Sequence, residues 1–171
     1  MRHTSDGIGI DHLAIAILRG ADSVVMVQQQ GPDDAQPYWV LPGGLVEAGE
    51  LITDALVREV EEEAGVQVTV ITQLACLIQI DRPAQQTQTV AFIFEVGTWQ
   101  GSLGSHDPDD EILAVELVPL AEAIRRLAGN GGWPAIQTPL LTYLRGDAPA
   151  GAVWCYREDA AGQQLVGRFP A

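Results

Sequence analysis

The chain has 171 residues, 47% of them hydrophobic, with nine basic against 23 acidic side chains and a net charge of −14. That length supports one good core and is short for two, and that charge excludes the basic patches on which a direct grip on nucleic acid or an anionic membrane depends. All nine basic residues are Arg, so a P-loop lysine and lysine-nucleophile or Schiff-base chemistry are excluded as well.

In chain order, the opening "MRHTSDGIGI" has no apolar signal core, and no later run approaches a bilayer-spanning length, so a soluble cytoplasmic protein is expected. Two β-rich runs, 13–18 and 24–28, flank the turn-forming "RGADS" and predict a hairpin. "GPDDAQPY" is a loop, and "WVLPGG" a short extended segment stopped by Pro42, Gly43 and Gly44. A helix follows the loop 45–50 and ends at Gly65, placed to close it in the left-handed conformation. Strands are expected at 74–80, 90–96 and 112–118, and "LAEAIRRLAG" has helical periodicity. "IQTPLLTYLRG" predicts a last helix beginning around its proline. The tail from about 146 is a candidate hairpin turning at "EDAAG". Strands and helices mix without regular βαβ alternation, which predicts a mixed sheet flanked by helices. Cys76 and Cys155, far apart among apolar neighbours, are expected to be buried free thiols.

The helix carries the chemistry. At 100° per residue, Ile52, Ala55, Leu56 and Val60 fall in an arc of roughly 140° that should face the core. Glu59, Glu62 and Glu63 fall in an overlapping arc, while Asp54, Arg58 and Glu61 point away. Two carboxylates about 6 Å apart at an effective dielectric near 20 repel by roughly 3 kcal/mol. The negative end of the helix dipole adds up to about 1 kcal/mol for each, whereas favourable helix pairs return only about 0.2 to 0.5 kcal/mol. A divalent cation would compensate, and a cluster of hard oxygens without His or Cys suits Mg²⁺ or Mn²⁺.

The spacing is more specific than the charge. Gly44, Glu50, Arg58, Glu59, Val60, Glu62, Glu63, Gly65 and Val66 fit G-x5-E-x7-R-E-U-x-E-E-x-G-U, with U a bulky aliphatic, without a mismatch. This is the Nudix box, and the chain resembles the Nudix hydrolase family, a likeness extended upstream by "WVLPGG" and downstream by "DDEILAVELVPLAEAI". The resemblance, which does not extend past about Trp133, implies an α/β Nudix fold with the mixed sheet sandwiched between helices; the length makes 1–171 a single domain, with the tail as a candidate extra hairpin. The resemblance also implies Mg²⁺-dependent cleavage of a diphosphate linkage in a nucleoside diphosphate derivative, with Mn²⁺ as a substitute metal. By carry-over, Glu59 and Glu63 are the primary metal ligands, Glu62 completes the cluster, and the Gly43 carbonyl is a further ligand. Arg58 and Glu50 hold the loop against the helix, and the general base is Glu59, Glu62 or Glu111.

Two departures bear on substrate. Leu51 stands where many relatives have a Ser or Thr cap, and "QQQ", Gln28 to Gln30, stands where relatives handling triphosphates often carry an arginine. Pro83 lies one residue beyond a spacing associated with ADP-ribose cleavage, and Arg82 beside it, like Arg19, is a candidate substrate contact. ADP-ribose or nucleotide-sugar substrates are therefore expected ahead of nucleoside triphosphates. A non-catalytic Nudix-like binding module and an isopentenyl diphosphate isomerase are the readings of another class. A small-molecule nucleotide is the expected partner and a homodimer the expected assembly. His12 and His106 receive no role.

Overall fold

The computed structural model describes residues 8–129 and 132–170. The elements are β1 (Gly9–Leu18), β2 (Ser23–Gln29), β3 (Tyr38–Val40), β4 (Gly43–Leu45), α1 (Ile52–Ala64), β5 (Gln67–Arg82) and β6 (Thr87–Gln100). They continue with β7 (Ile112–Pro119), α2 (Leu120–Gly129), α3 (Pro134–Leu144), β8 (Ala152–Asp159) and β9 (Gly162–Phe169). The mixed sheet is six-stranded, in the order β4-β1-β6-β5-β8-β9, and a three-stranded sheet β3-β2-β7 accompanies it. In the large sheet β1 runs parallel to β6 and β5 parallel to β8; its other pairs are antiparallel.

The hairpin expected over 13–28 is not a ladder. Gly20 N–H bonds to Ser23 O at 2.8 Å and one bridge joins Arg19 to Val24, after which the strands part into different sheets. The reason lies in burial: Ala16 to Leu18 and Val24 to Val27 are buried without alternation, as in central strands covered on both faces. Each strand therefore finds long-range partners, β1 with β4 and β6, β2 with β3 and β7. "WVLPGG" likewise divides into β3 and β4, one in each sheet, with Pro42 O accepting from Ala16 N–H at 2.8 Å at the crossing.

Two apolar clusters flank the sheets. Ala55, Leu56, Val60 and Ala64 of α1 pack on Ala14, Ala16, Leu18, Val25 and Val96. Ala123 and Leu127 of α2 and Ala135, Leu140 and Leu144 of α3 pack on Ile17, Met26, Ile78, Ile80 and Trp154. Strand β2 serves both, Val25 toward α1 and Val24 and Met26 toward α2 and α3. Helix α3 starts earlier than expected: Pro134 is its first residue, where a missing N–H is harmless, and Pro139 lies inside it. The tail forms the hairpin β8–β9, which joins the large sheet through β8 beside β5. No helix among the described residues is long and apolar enough to cross a membrane. Both cysteines are free: Cys76 is buried, its thiol pushed by that burial up to about 12, and Cys155 is only half-buried.

Candidate active site

Helix α1 begins without a side-chain cap, since Leu51 offers only its carbonyl, which accepts from Asp54 and Ala55 N–H. Its other end is closed from outside the helix. Gly65, left-handed at φ 71°, donates to Glu61 O; His106 N–H reaches Glu62 O at 2.7 Å and Gly104 N–H reaches Ala64 O at 3.1 Å. Carbonyls that a helix terminus leaves unpaired thus recruit the loop before β7, and that loop brings Asp107 and Glu111 to the side of the box glutamates.

The carboxylates are held by few donors. Glu63 is largely buried and accepts the Gly43 N–H at 2.8 Å. Burial outweighs that bond, and with Glu59, Asp107 and Glu62 nearby it pushes the Glu63 carboxyl up to about 8. Glu59 is also raised, by burial first, although Arg58 Nη1 donates to it at 2.8 Å. Arg58 grips Glu50 at two points, both 3.0 Å, reaches Leu45 O at 3.0 Å and Glu62 at 3.2 Å, and so joins the loop to the helix. The outward direction expected for Arg58 is therefore corrected: its side chain is only 26% exposed and folds back over the acids. Its raised proton affinity comes from the Glu50 bond first, against burial, and then from Glu59.

Two glycines make the crowding feasible. At Gly43, with φ of +149°, a Cβ would stand 2.3 Å from Ala14 O and 2.6 Å from Ile15 Cα. At Gly44 a Cβ would fall 2.4 to 2.7 Å from the three carboxylate atoms of Glu59. Bare backbone at both positions is what lets the β4 strand lie against β1 on one side and the Glu59 carboxylate on the other.

Glu59, Glu62, Glu63, Arg58, Asp107 and Glu111 line one cleft of about 510 Å³. Glu50 stands behind it, on Arg58. A second, mostly apolar cleft of about 550 Å³ lies between Leu13 and Ile15 of β1, Tyr38 and Val40 of β3, and Trp133, Ile136 and Leu140 at α3. Gln29 lines both clefts, its amide donating to Tyr38 Oη at 2.6 Å.

Neither arginine expected at the substrate lines a cleft. Arg19 is spent on Glu95 at 2.7 Å at the end of β1. Arg82 lies with its guanidinium over the Trp133 ring, 4.6 Å from the ring centre, and Trp133 lines the apolar cleft. His12 is exposed beside Phe92, and His106 meets α1 through its backbone.

Residues 11–138 match the model of the NUDIX domain. The chain belongs to this family. Among Nudix relatives it is 33% identical over 110 residues to the putative nudix hydrolase 1 of Caenorhabditis elegans, covering 63% of this chain and 28% of that one. It is 36% identical over 99 residues to the 8-oxo-dGDP phosphatase NUDT18 of Danio rerio, covering 57% and 29%. To the ADP-ribose pyrophosphatase of Methanocaldococcus jannaschii it is 31% identical over 88 residues, covering 50% and 52%. The matches thus span under a third of the first two relatives and about half of the third. The MutT protein from Bacillus halodurans has the same fold, with a TM-score of 0.67 at 19% identity over 92% of this chain and 95% of that one.

The Nudix family is generally dependent on divalent metals. Cys76, the thiol an isomerase reading would call on, is sealed in the core on β5. The donor set fits a hard cation: carboxylate oxygens alone, two of them on groups whose burial leaves them short of compensating charge. Among the described residues, however, no three such side chains are gathered as a ready set of metal ligands. Glu59 and Glu62 lie on Arg58 and Glu63 on the Gly43 amide, so an ion would have to draw the first two off the guanidinium.

Sequence reasoning missed Asp107. Its signal was the pattern of an aspartate before Pro108 and Asp109, a turn in which a carboxylate binds backbone amides ahead of it; Asp107 accepts from Asp109, Glu111 and Ile112 N–H. Trp133 was missed as well, because its partners lie on β1, β3 and β5.

Proposed function

We propose that the chain is a Mg²⁺-dependent pyrophosphohydrolase, with Mn²⁺ as a substitute, that cleaves a diphosphate linkage in a nucleoside diphosphate derivative. The observation that carries this reading is the adjacency of the two clefts at Gln29: one lined by Glu59, Glu62 and Glu63, the other apolar and large enough for a base.

Glu59, Glu63, Glu62 and the Gly43 carbonyl would hold the ion, which when bound screens the diphosphate, polarises its P–O bond and lowers the pKa of a bound water. Arg58, tied to Glu50 and Leu45 O, keeps the loop 45–50 on the helix and so keeps the carboxylates aimed at the cleft. Glu59, Glu62 and Glu111 all line that cleft, which supports each as a candidate to take a proton from an attacking water. The water oxygen would bond to one phosphorus as the bridging P–O bond breaks, giving a nucleoside monophosphate and the phosphate of the other group.

Substrate preference follows from cation supply. Among the described residues Arg58 is the single basic side chain lining either cleft, and it is occupied by carboxylates. A diphosphate linkage asks less of the site than a triphosphate, which favours ADP-ribose or nucleotide-sugar substrates. A second reading, oxidised purine nucleotides, draws support from relatives named 8-oxo-dGDP phosphatase and 8-oxo-dGTP diphosphatase.

The test is a panel of ADP-ribose, ADP-glucose, 8-oxo-dGDP, 8-oxo-dGTP and dGTP with Mg²⁺, reading the released monophosphate. Turnover of diphosphates ahead of triphosphates is expected. Turnover confined to triphosphates would reverse the preference, and no Mg²⁺-dependent turnover of any of them would sink the reading.

A further inference from the structure

The hairpin β8–β9 lies beyond residue 138, where the family match ends, and it carries none of the cleft-lining residues. It is nevertheless joined to the apolar cleft by a closed ring of contacts. Trp133, 51% exposed, is the N-cap of α3 and presents its indole to that cleft. The Arg82 guanidinium, which is not among the residues lining that cleft, lies over the same ring, 4.6 Å from its centre.

Arg82 is itself fixed. Its Nη1 donates to the buried Thr89 hydroxyl at 2.8 Å and its Nε stands 3.5 Å from Glu158 Oε2 of β8. Glu158 also accepts from Gln163 Nε2 of β9 at 3.2 Å, and Gln163 Oε1 accepts the Ala135 N–H at 3.1 Å. Ala135 is two residues after Trp133, in a first turn that begins with a proline and has no side-chain cap of its own. The hairpin therefore holds Trp133 twice: by the ring, through Glu158 and Arg82, and by the backbone, through Gln163.

The energetics make this arrangement more than incidental packing. Arg82 Nη2 is buried without a hydrogen-bond partner, so the cation depends on Glu158, Thr89 and the indole face to offset its desolvation. Removing the Glu158 charge leaves a poorly compensated guanidinium that gains by swinging toward water, and the indole loses that contact. Removing Gln163 leaves a helix-terminal N–H unpaired, which loosens the turn from which Trp133 projects.

We infer that the C-terminal hairpin is a positioning element for substrate recognition: Glu158 and Gln163, through Arg82 and the α3 terminus, hold Trp133 as a fixed stacking wall for a nucleotide base. This rests on the apolar cleft being the base site. Stacking of an aromatic base on a rigid indole is worth a few-fold to about tenfold in affinity, and a mobile indole forfeits part of it to ordering entropy.

The experiment uses the full chain labelled with 5-fluorotryptophan, with the Trp133 resonance assigned from Trp133→Phe. Metal-free titration with AMP and GMP in EDTA and steady-state turnover of the best panel substrate are run on Trp133→Ala, Glu158→Gln and Glu158→Gln/Gln163→Leu. The expected result is that the double variant broadens or shifts the Trp133 resonance and weakens both binding and KM by about fivefold, with kcat kept within about twofold. Glu158→Gln alone should do part of this, and it carries the test if the double variant melts too early to assay. If Trp133→Ala weakens binding while the hairpin variants match the wild type, the hairpin proposal is overturned and the base cleft stands. If Trp133→Ala itself binds and turns over normally, the base cleft is wrong and the proposal falls with it.

Discussion

The two clefts are neighbours built on opposite principles. The acidic one stores electrostatic tension: Glu59 and Glu63 are desolvated beyond what one shared arginine and one backbone amide compensate. The apolar one is walled mainly by Leu13, Ile15, Val40, Trp133, Ile136 and Leu140, with Asp34 the one charged residue among the described residues of its lining. Tension of the first kind is relieved by an ion and so couples folding, metal and chemistry. Shape of the second kind depends on how well distant elements hold one another, and so bears on recognition. Changes in the first should move kcat and stability, and changes in the second KM.

The largest effect is expected from Glu63→Gln, which keeps the shape and the Gly43 hydrogen bond but removes a carboxyl that can ionise toward a cation. Ligand-supporting residues alone are worth about 10- to 100-fold, so a loss above about a hundredfold in kcat is expected, with nucleotide affinity in EDTA little changed. A comparable loss of affinity would erase the division between the clefts.

Next comes pH. The folded Glu63 carboxyl sits near 8 against an ordinary value of 4.5, so between those values the folded state keeps a proton that the unfolded state has lost. Stability from this group is fully present below the ordinary value and is lost as pH rises through the folded one, by up to about 1.4 kcal/mol per pH unit. In EDTA the melting temperature should fall from pH 6 to pH 8, and Mg²⁺ or the Glu63→Gln change should flatten that slope. A flat profile in wild type without metal would mean that Glu63 is solvated and the tension absent.

Gly44→Ala places a methyl 2.4 Å from Glu59 Oε1. The obstacle is the end of a flexible side chain, so Glu59 moves and the fold survives. A fall of about tenfold in kcat with little change in melting is expected, whereas equal loss of both would show that Glu59 has nowhere to go. The smallest effect belongs to the boundary. Tyr38→Phe frees the Gln29 amide that lines both clefts, which should change KM by about two- to threefold, in keeping with one neutral hydrogen bond, and leave kcat alone.

How much of this was legible depended on range along the chain. Helix α1, its stop at Gly65 and the inward set of Glu59, Glu62 and Glu63 could be read because helical spacing fixes directions within a few residues. The Arg58–Glu50 pair followed from opposite charges at motif positions, though the reach of Arg58 to Glu59 and Glu62 did not, because side-chain direction bends toward local field. The hairpin over 13–28 misled because unalternating apolar runs announce burial without naming partners. Arg19 and Arg82 misled differently: arginine near a cleft in sequence says nothing of which carboxylate or ring will claim it first.

The sequence by itself determined the carboxylate spacing and the sign of the field, and from these the expectation of a counter-cation, since they follow from composition and from rotation along one helix. Only the tertiary structure decided that β1 and β2 part company, that Asp107 is pulled in by open helix carbonyls, and that a terminal hairpin braces Trp133. Those are pairings between segments tens of residues apart, chosen by which buried surfaces and unpaired backbone groups satisfy one another, a competition that no local pattern records.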